Sequence, residues 1–406
     1  MAAEVWFDTR EELADALDLG VTIRRAEAER MRTIAAWAAA RTTSQRGPAR
    51  VLPGQDRRVP FGGPGSPDIP EFLPAELGAT LGLSAFAAQK LLSDALSLVH
   101  RLPDLLTLLE QGEVEAWKVR MVAAATRELP ATVAGVIDCQ LAAPARRGAP
   151  PRIVRLTRST LQDVIDHHLL AHTDPAQTTD AHHEARARRY VAFKPGLDGT
   201  TDIAGTLSNE DAHRLEQALD DTASEMADVE GDTRSRGVRR AEALGRLVVH
   251  PGLAQTVLYL HFDRLSGTWS ADDIGTIRVD EAESIVGHGT VTIKPVIDLA
   301  AEISTTGYVA PPRLREQLRL NQRNLCAFPH CDRHGTIGFD VDHVDPYDSG
   351  GTTTSSNTHL LCRYHHRVKT HGRWRATKTA PGTTVWTSPT GQVFEVAHGL
   401  TTRLRT

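Results

Sequence analysis

The chain has 406 residues, of which 40% are hydrophobic and 5% aromatic, and its formal net charge at pH 7 is −5. This length suffices for two or three domains with hydrophobic cores. No apolar stretch approaches the roughly twenty residues of a membrane span. The acidic, helix-patterned start MAAEVWFDTREELADALDLG does not resemble a secretory signal. We therefore expect a cytoplasmic protein without membrane contact, whose cysteines are reduced.

Residues 9–43 predict one long amphipathic helix, because apolar side chains recur there at helical spacing. Residues 44–70 contain GGPGSP and predict a linker or mobile loop. Residues 71–145 are rich in alanine and leucine and predict a helical bundle, which continues as helix over residues 152–173.

One part of this bundle, LGLSAFAAQKLL, resembles the start of a helix-turn-helix unit. Gly82 would lie at the turn and Ser84 would cap the next helix. Such patterns are also frequent in bundles that bind no DNA, so the pattern alone does not assign a function to the bundle.

The pattern changes after residue 184. The stretch ARRYVAFKPGLDGTTDIAGTLS predicts a β-hairpin that turns at Pro195-Gly196 and Asp198-Gly199. Helices are predicted over residues 209–228, capped by Ser208, and over residues 239–249. Further strands are predicted within residues 254–262 and 274–298. The histidines between residues 167 and 183 lack a matching acid or cysteine, and we interpret them as exposed helical histidines.

Cysteine and histidine are concentrated near the C-terminus. Cys326 and Cys331 lie in the loop CAFPHC, and Cys362 and His365 follow about thirty residues later at helical spacing. Two such pairs predict a tetrahedral Cys3His site for a structural zinc ion. His330 or His334 could replace one of these ligands, and disulfides are an alternative use of the cysteines.

A second set of polar residues lies beside this cluster. The segment IGFDVDHVDP predicts a short strand that ends at Asp342 and His343, followed by Gly350-Gly351 and a loop that carries Asn357. A helix is predicted to begin near His359. On it His366 lies about 100° from His365, so one helix can offer ligands to two different metal ions.

The stretch from about residue 320 to 374 resembles an HNH nuclease of the ββα-metal fold. The matching parts are the cysteine loop, DHVDP followed by GG, and NTHLLCRYHHRVKTH, so that the three name-giving residues fall on His343, Asn357 and His366. Ser356 stands where Glu is frequent, and His365 where many members have Cys.

The resemblance and the chemistry of the residues imply the same roles. His343 would be the general base that takes a proton from the attacking water. Asp342 and His366 would hold one divalent cation, with Mg²⁺, Mn²⁺, Ni²⁺ and Zn²⁺ all compatible. Asn357 would hold the loop and orient His343. Asp340 and His371 are weaker candidates for a metal or phosphate contact. The expected products carry a 5′-phosphate and a 3′-hydroxyl.

The residues from about 10 to 300 resemble an actinobacterial domain of unknown function that commonly precedes an HNH domain. The parts that carry this resemblance are the LP…LL…GEV helices, the DGTTDIAGTLS hairpin and the RRAEAL helix. We therefore predict an α+β protein with a mainly helical domain over residues 1–300 and a nuclease domain over residues 301–406, which ends in a β-hairpin that packs through Trp374 and Trp386.

Charge is distributed unevenly between these two parts. Residues 313–378 hold eleven Lys and Arg but six Asp and Glu, a net charge of +5, so the remaining residues together carry −10. Arg313, Arg315, Arg319 and Arg323 recur at mostly helical spacing. A basic C-terminal part favours contact with nucleic-acid phosphates, although solvated surface charges are the alternative.

The predicted function is a metal-dependent endonuclease acting on DNA, with RNA not excluded. The alternative is a non-catalytic, zinc-stabilised module that binds nucleic acid or a protein. A homo-oligomer or a protein partner bound through the N-terminal domain is a further possibility.

Overall fold

The structure is a computed structural model of the chain. It describes residues 10–44, 54–144, 146–172, 189–195, 200–227, 232–248, 260–263, 268–271, 275–277, 298–333 and 338–404. The chain forms two compact units, one of residues 1–173 together with 297–406 and one of residues 174–296. These units divide the chain differently from the predicted boundary at residue 300, because the helices before residue 173 pack with the C-terminal region. That boundary stays a prediction.

The N-terminal part of the first unit is helical, as predicted. Its helices are α1 (Arg10–Ser44), α2 (Leu73–Leu81), α3 (Ala85–Arg101), α4 (Pro103–Gln111), α5 (Ala116–Ala125), α6 (Ala131–Ala142), α7 (Arg152–Arg155) and α8 (Arg158–His172). Their shared core is made mostly of leucine, valine and alanine. Leu92, Leu96 and Leu105 are all fully buried in it.

Helix α1 uses only part of its predicted apolar face. Met31 and Ala35 are 2% exposed and belong to the core, whereas Leu13 and Leu17 are 64% and 71% exposed. The helix therefore packs against its own unit through its C-terminal half.

The predicted turn before α3 is confirmed. Gly82 ends α2 with a φ of 69°, a left-handed conformation that glycine adopts without strain. Ser84 caps α3, and its hydroxyl accepts a hydrogen bond from Ala87 N at 3.4 Å.

The segment from residue 54 to 70 is a loop that is held against the helices. Its two short strands, β1 (Arg58–Val59) and β2 (Ile69–Pro70), pair with each other. The buried guanidinium of Arg101 donates to Gly62 O at 3.0 Å and to Thr126 O at 2.8 Å. Residues 54–70 of the predicted linker or mobile loop therefore form a loop that is anchored to the helices. The preceding residues 45–53 lie outside the described part of the chain.

The second unit contains the predicted hairpin, in which β3 (Tyr190–Pro195) pairs antiparallel with β4 (Thr201–Thr206). Two helices follow, α9 (Asn209–Ala227) and α10 (Arg236–Val248), and then a three-stranded sheet of β5 (Leu260–Asp263), β6 (Thr268–Ala271) and β7 (Gly275–Ile277). The strands predicted at 254–259 and across 278–297 lie outside the described residues.

The C-terminal part of the first unit is built around a short hairpin and one helix. Its elements are β8 (Ser304–Thr305), α11 (Pro312–Asn321), β9 (Phe339–His343), β10 (Thr353–Thr354), β11 (Thr358–Cys362), α12 (Arg363–His371), β12 (Arg375–Ala380), β13 (Thr383–Thr387), β14 (Val393–Ala397) and β15 (Leu400–Leu404). Strands β9 and β11 form the hairpin, β8 pairs with β10, and β12 to β15 form an antiparallel sheet in chain order.

Two local predictions are wrong here. The helix predicted to begin near His359 begins at Arg363, because residues 358–362 pair with β9 and are buried along the whole strand. The region after Trp374 forms four strands rather than one hairpin. Trp374 and Trp386 are nevertheless buried, at 5% and 0% exposure.

Helix α2 contributes to two hydrophobic cores. Leu73 and Leu77 pack into the core of the helical bundle. Phe72, which precedes the helix, and two alanines within it pack into the C-terminal core, which also contains Cys326, Phe328, Leu361 and Trp386. The bundle and the C-terminal region are therefore one packed body.

The same segment holds helix α12. The Arg367 guanidinium donates to both carboxylate oxygens of Glu71, each at 2.9 Å. The Tyr364 hydroxyl donates to Glu71 O at 3.2 Å, and the Phe72 ring lies edge-on to the Tyr364 ring at 6.2 Å. A two-pronged ion pair of this kind fixes direction as well as distance.

The mixed helix and strand content confirms the predicted α+β class, with a helical N-terminal region and small sheets toward the C-terminus. Among the residues that the structure describes, no helix combines the length and apolar character needed to cross a membrane.

The packing of Phe72 predicts a large effect of truncation. We expect Phe72→Ala to lower the free energy of unfolding by about 3–5 kcal/mol, because it empties a site shared by α2 and the C-terminal core. Phe86→Ala is the matched control, since Phe86 is 70% exposed and its loss should cost less than about 0.5 kcal/mol. Equal denaturation midpoints for the two variants would contradict the shared core.

The buried Asp138 predicts a pH-dependent stability. Its carboxylate accepts hydrogen bonds from Asp104 N and Leu105 N, both at 2.9 Å, and burial raises the pKa of Asp138 to about 6. The folded chain then binds more protons than the unfolded chain between about pH 4 and 6, so the free energy of unfolding falls as pH rises through this window.

We expect this loss to be about 3 kcal/mol and to be absent in Asp138→Asn. Thermal melting of both proteins between pH 4 and 7 measures it. Asp163→Asn, which changes an exposed carboxylate on α8, should follow the wild type. A constant difference between Asp138→Asn and wild type across this range would refute the assignment.

Candidate active site

Four potential zinc ligands meet at the start of helix α12. One ligand atom from each of Cys326, Cys331, Cys362 and His365 lies within 4.8 Å of the corresponding atoms of the other three. The His365 Nδ1 atom is 3.6 Å from Cys326 Sγ and 3.3 Å from Cys362 Sγ. In a tetrahedral zinc site, sulfur and nitrogen ligands lie about 3.6 Å apart.

The chemistry of this cluster also fits a cation. Burial raises the pKa of Cys326 well above its ordinary value, while hydrogen bonds from Cys326 and Cys331 lower the pKa of Cys362. By itself the cluster therefore favours a single thiolate, and further thiolates need a positive ion nearby. The His365 ring is fixed by stacking on Phe328, at 4.0 Å between ring centres. These residues are the predicted Cys3His set.

Neither of the alternative ligands, His330 and His334, is found in this cluster among the described residues. His330 lies in the same loop but is absent from the cluster that the structure brings together among its described residues. His334 lies outside the described residues. Cys139, the remaining cysteine, is exposed on α6.

Asp342 and His343 end strand β9, as predicted. Asp342 pairs with His359 and His343 pairs with Thr358 across the hairpin. Adjacent residues of a strand point to opposite sides, so their side chains enter different surroundings. Both side chains are largely buried, with residue exposures of 6% and 7%.

The two oxygens of Asp342 have separate surroundings. Its Oδ2 atom accepts from His359 Nε2 and from Lys369 Nζ, both at 2.8 Å. Its Oδ1 atom lies 3.4 Å from His366 Nε2. Burial alone would raise the pKa of Asp342, but His359 and Lys369 outweigh it and hold the pKa below its ordinary value. The carboxylate is therefore ionised at neutral pH.

The His366 ring is held from its other side. Its Nδ1 atom lies 3.0 Å from Asp340 Oδ2, and Asp340 also pairs with Arg363 at 3.0 Å. A carboxylate on the far nitrogen of an imidazole is the usual support for a metal-binding histidine, because it orients the ring and raises its basicity. Asp340 thus lies behind His366 rather than beside Asp342.

The His343 ring packs against two tyrosine rings, which also contact each other. It stacks on Tyr308 at 5.4 Å between ring centres and lies 5.5 Å from the Tyr347 ring. Its Nε2 atom is 2.8 Å from the Thr353 hydroxyl. Burial lowers the pKa of His343, and Lys369 lowers it further against the opposing charge of Asp342.

Asn357 holds the loop between β9 and β11. Its side-chain oxygen accepts from Asp345 N at 2.9 Å, and its amide donates to Asp345 O at 3.1 Å and Thr352 O at 2.8 Å. The loop also needs Gly351, because a Cβ atom there would lie 2.0 Å from Asp345 O. The Asn357 side chain therefore binds the backbone two residues after His343, whereas the Thr353 hydroxyl contacts the His343 ring itself.

Three side chains at this site were not predicted: His359, Lys369 and Thr353. Lys369 follows His366 by three residues, a spacing that places both on one face of α12 and could have been read from the sequence. His359 was assigned to a helix, and its strand pairing with Asp342 was missed. Thr353 carries no sequence signal, because a loop brings it to His343.

Comparison with known proteins supports this interpretation. Residues 68–265 match the family model "Domain of unknown function (DUF222)", and residues 326–372 match "HNH endonuclease". The second match begins at Cys326 and includes the four cysteine and histidine residues of the cluster together with Asp342, His343, Asn357 and His366.

Related proteins are known in Mycobacterium tuberculosis. Uncharacterized protein Rv3776 is 28% identical over 373 residues, which covers 79% of this chain and 69% of that protein. Uncharacterized protein Rv2100 is 35% identical over 120 residues, 29% of this chain and 21% of that protein. No solved structure matches the chain. The chain therefore carries a DUF222 domain followed by an HNH endonuclease domain, which indicates a nuclease-type function.

Proposed function

We propose that the chain is a metal-dependent endonuclease that hydrolyses phosphodiester bonds in DNA. The observation that carries this proposal is the arrangement around Asp342. One carboxylate oxygen is held by His359 and Lys369, and the other lies 3.4 Å from His366 Nε2. Ligand bonds of about 2.0–2.2 Å allow two such atoms to bind one divalent cation.

The residues that would hold this cation are therefore Asp342 and His366, with Mg²⁺, Mn²⁺ or Ni²⁺ as candidates. When bound, the cation would stabilise negative charge on the phosphorane and on the departing 3′ oxygen. Asp340 keeps the His366 ring oriented, and Lys369 and His359 keep Asp342 ionised.

His343 is the proposed general base. The Thr353 hydroxyl can donate to Tyr308 O at 3.4 Å, which leaves its oxygen to accept the proton on His343 Nε2 at 2.8 Å. We assign this tautomer from the hydrogen bonds. The Nδ1 atom then carries the free lone pair and takes a proton from the attacking water. The products would carry a 5′-phosphate and a 3′-hydroxyl.

Asn357 has an indirect role in this proposal. Its three hydrogen bonds fix the loop that begins directly after His343, and they therefore limit how far the His343 backbone can move. The Lys369 ammonium donates to His343 O at 2.6 Å and restrains the same backbone.

Cys326, Cys331, Cys362 and His365 would hold a structural zinc ion. This ion would join the cysteine loop to the start of α12, the helix that carries His366.

The alternative function is a non-catalytic, zinc-stabilised module that binds nucleic acid or a protein. It needs the cysteine cluster but gives no reason for the polar contacts around Asp342, and we therefore prefer the endonuclease. RNA as substrate and a homo-oligomer or protein partner stay open within this proposal.

Cleavage of supercoiled plasmid tests the general base. We expect wild type to nick or linearise DNA with added Mg²⁺, Mn²⁺ or Ni²⁺, and His343→Ala to be roughly 10²–10⁴-fold slower, the usual contribution of a positioned base. His213→Ala, which removes an exposed histidine from α9, is the matched control and should keep full activity.

Melting temperature and zinc content of His343→Ala must equal those of wild type, so that a slower reaction reports chemistry. Cleavage by His343→Ala at the wild-type rate would contradict the role of His343. Cleavage that continues without any divalent cation would contradict the proposed metal site. If wild type binds DNA but cleaves none of it with any of the added cations, the result would favour the non-catalytic alternative.

Elemental analysis tests the zinc site. We expect Cys362→Ser to contain about one zinc ion per chain less than wild type and to melt at lower temperature, because folding of this region is coupled to metal binding. Cys139→Ser makes the same chemical change outside the cluster and should keep the wild-type zinc content. Equal zinc content in the two variants would overturn the assignment.

A further inference from the structure

A groove lined by arginines lies between the helical bundle and the C-terminal region of the same compact unit. Its volume is about 1300 Å³. Its basic lining residues come from α1 and the 54–70 loop on one side, and from the end of α12, the turn that follows it and β12 on the other: Arg41, Arg57, Arg58, His371, Arg373 and Arg375. We propose that this groove binds the phosphate backbone of duplex DNA, which extends the DNA contact beyond the active site.

The charge of the groove supports an anionic occupant. Five arginines and two acidic residues line it, so positive charge is in excess by three although the whole chain is acidic. Both acids are engaged by the protein: Glu76 pairs with Arg41 at 3.0 Å, and Asp56 accepts a hydrogen bond from Phe72 N at 3.1 Å. Glu76 therefore neutralises Arg41, and the other four arginines face the single carboxylate of Asp56, which leaves the same excess of three positive charges.

The arginines differ in how far the protein neutralises them. Arg57 pairs with Glu71, but both carboxylate oxygens of Glu71 also accept hydrogen bonds from Arg367. One carboxylate therefore faces two guanidinium groups and neutralises Arg57 only in part. Arg373 and Arg375 are exposed, and within the described residues neither forms an ion pair. Exposed guanidinium groups that have no ion-pair partner within the described residues are suited to bind phosphate oxygens.

The aromatic residues of the groove favour duplex over single-stranded nucleic acid. Proteins that bind single strands stack the bases on exposed aromatic rings. The rings that line this groove belong to Phe72 and Trp374, and each residue is only 5% exposed. The groove can therefore contact a backbone but offers no surface for unpaired bases.

The groove is connected to the proposed active site through helix α12. His366 belongs to the active site, and His371, the last residue of the helix, lines the groove. Five residues of helix span about 7.5 Å, which corresponds to roughly two nucleotides of one strand. A strand that passes around the C-terminal end of α12 could thus reach both places.

This inference rests on the proposed nuclease function for its occupant and adds a role for the helical domain in holding the substrate. The test uses binding rather than cleavage. A fluorescent DNA duplex of about 25 base pairs is titrated with the 406-residue chain, purified in the presence of zinc, over a range of salt concentrations. Fluorescence anisotropy gives the binding constant. All proteins in this test carry His343→Ala, so that the duplex stays intact.

The test variant replaces Arg57, Arg373 and Arg375 by Gln. The control replaces Arg147, Arg152 and Arg155 by Gln, which removes the same charge from exposed arginines outside the groove. Each lost phosphate contact should reduce the slope of log K against log salt by about 1. We expect a clear reduction in the test variant and a near-parent slope in the control.

Equal slopes and affinities for the two variants would overturn the inference, as would a parent protein that does not bind the duplex. The same titration is repeated with single-stranded DNA and with RNA. If the test variant loses affinity for these probes but not for the duplex, the assignment to duplex DNA is overturned. Zinc content and melting temperature verify that both variants are folded. Binding loss in the test variant, together with an inert wild type in the plasmid assay, would keep the groove and reject the nuclease. If the test variant binds the duplex as tightly as the parent while wild type cleaves the plasmid, the groove is rejected and the nuclease is kept.

Discussion

The attachment of helix α12 to the segment before α2 is the constraint on which the site depends. A helix of nine residues is not stable in water on its own. It is held by the bidentate pair of Arg367 with Glu71 and by the contact of Tyr364 with Phe72. With these contacts fixed, its other side can direct His365 to the cysteines and His366 to Asp342. The N-terminal helical region therefore helps to position the candidate active site.

Within the site, the main physical problem is the burial of the Asp342 charge. A buried carboxylate is costly unless it is paired and hydrogen-bonded. Lys369 supplies the opposite charge and His359 a second hydrogen bond, both at the same oxygen. This leaves the other oxygen directed toward His366. A single carboxylate is thus stabilised on one side and remains available as a proposed metal ligand on the other.

The proposed zinc ligands and the positions of His343, Asn357 and His366 could be predicted because each lies in a short motif with fixed spacing. The partners of these residues were harder to predict. Lys369 lies in register with His366 on α12, but nothing in the sequence alone shows that Asp342 is close to both. Thr353 reaches His343 through a loop held by Asn357, and Glu71 reaches Arg367 across 296 residues of sequence. Contacts of this kind leave no periodic pattern in the chain.

The sequence by itself determined the α+β class, most helix positions and the two sets of chemical groups near the C-terminus. These depend on local periodicity, capping and motif spacing, which act over a few residues. Only the tertiary structure decided that α2 joins two cores, that residues 358–362 form a strand, and that arginines from both ends of the chain line one groove. Those features depend on burial and on contacts between distant segments, whose free energy is gained only after the chain has folded.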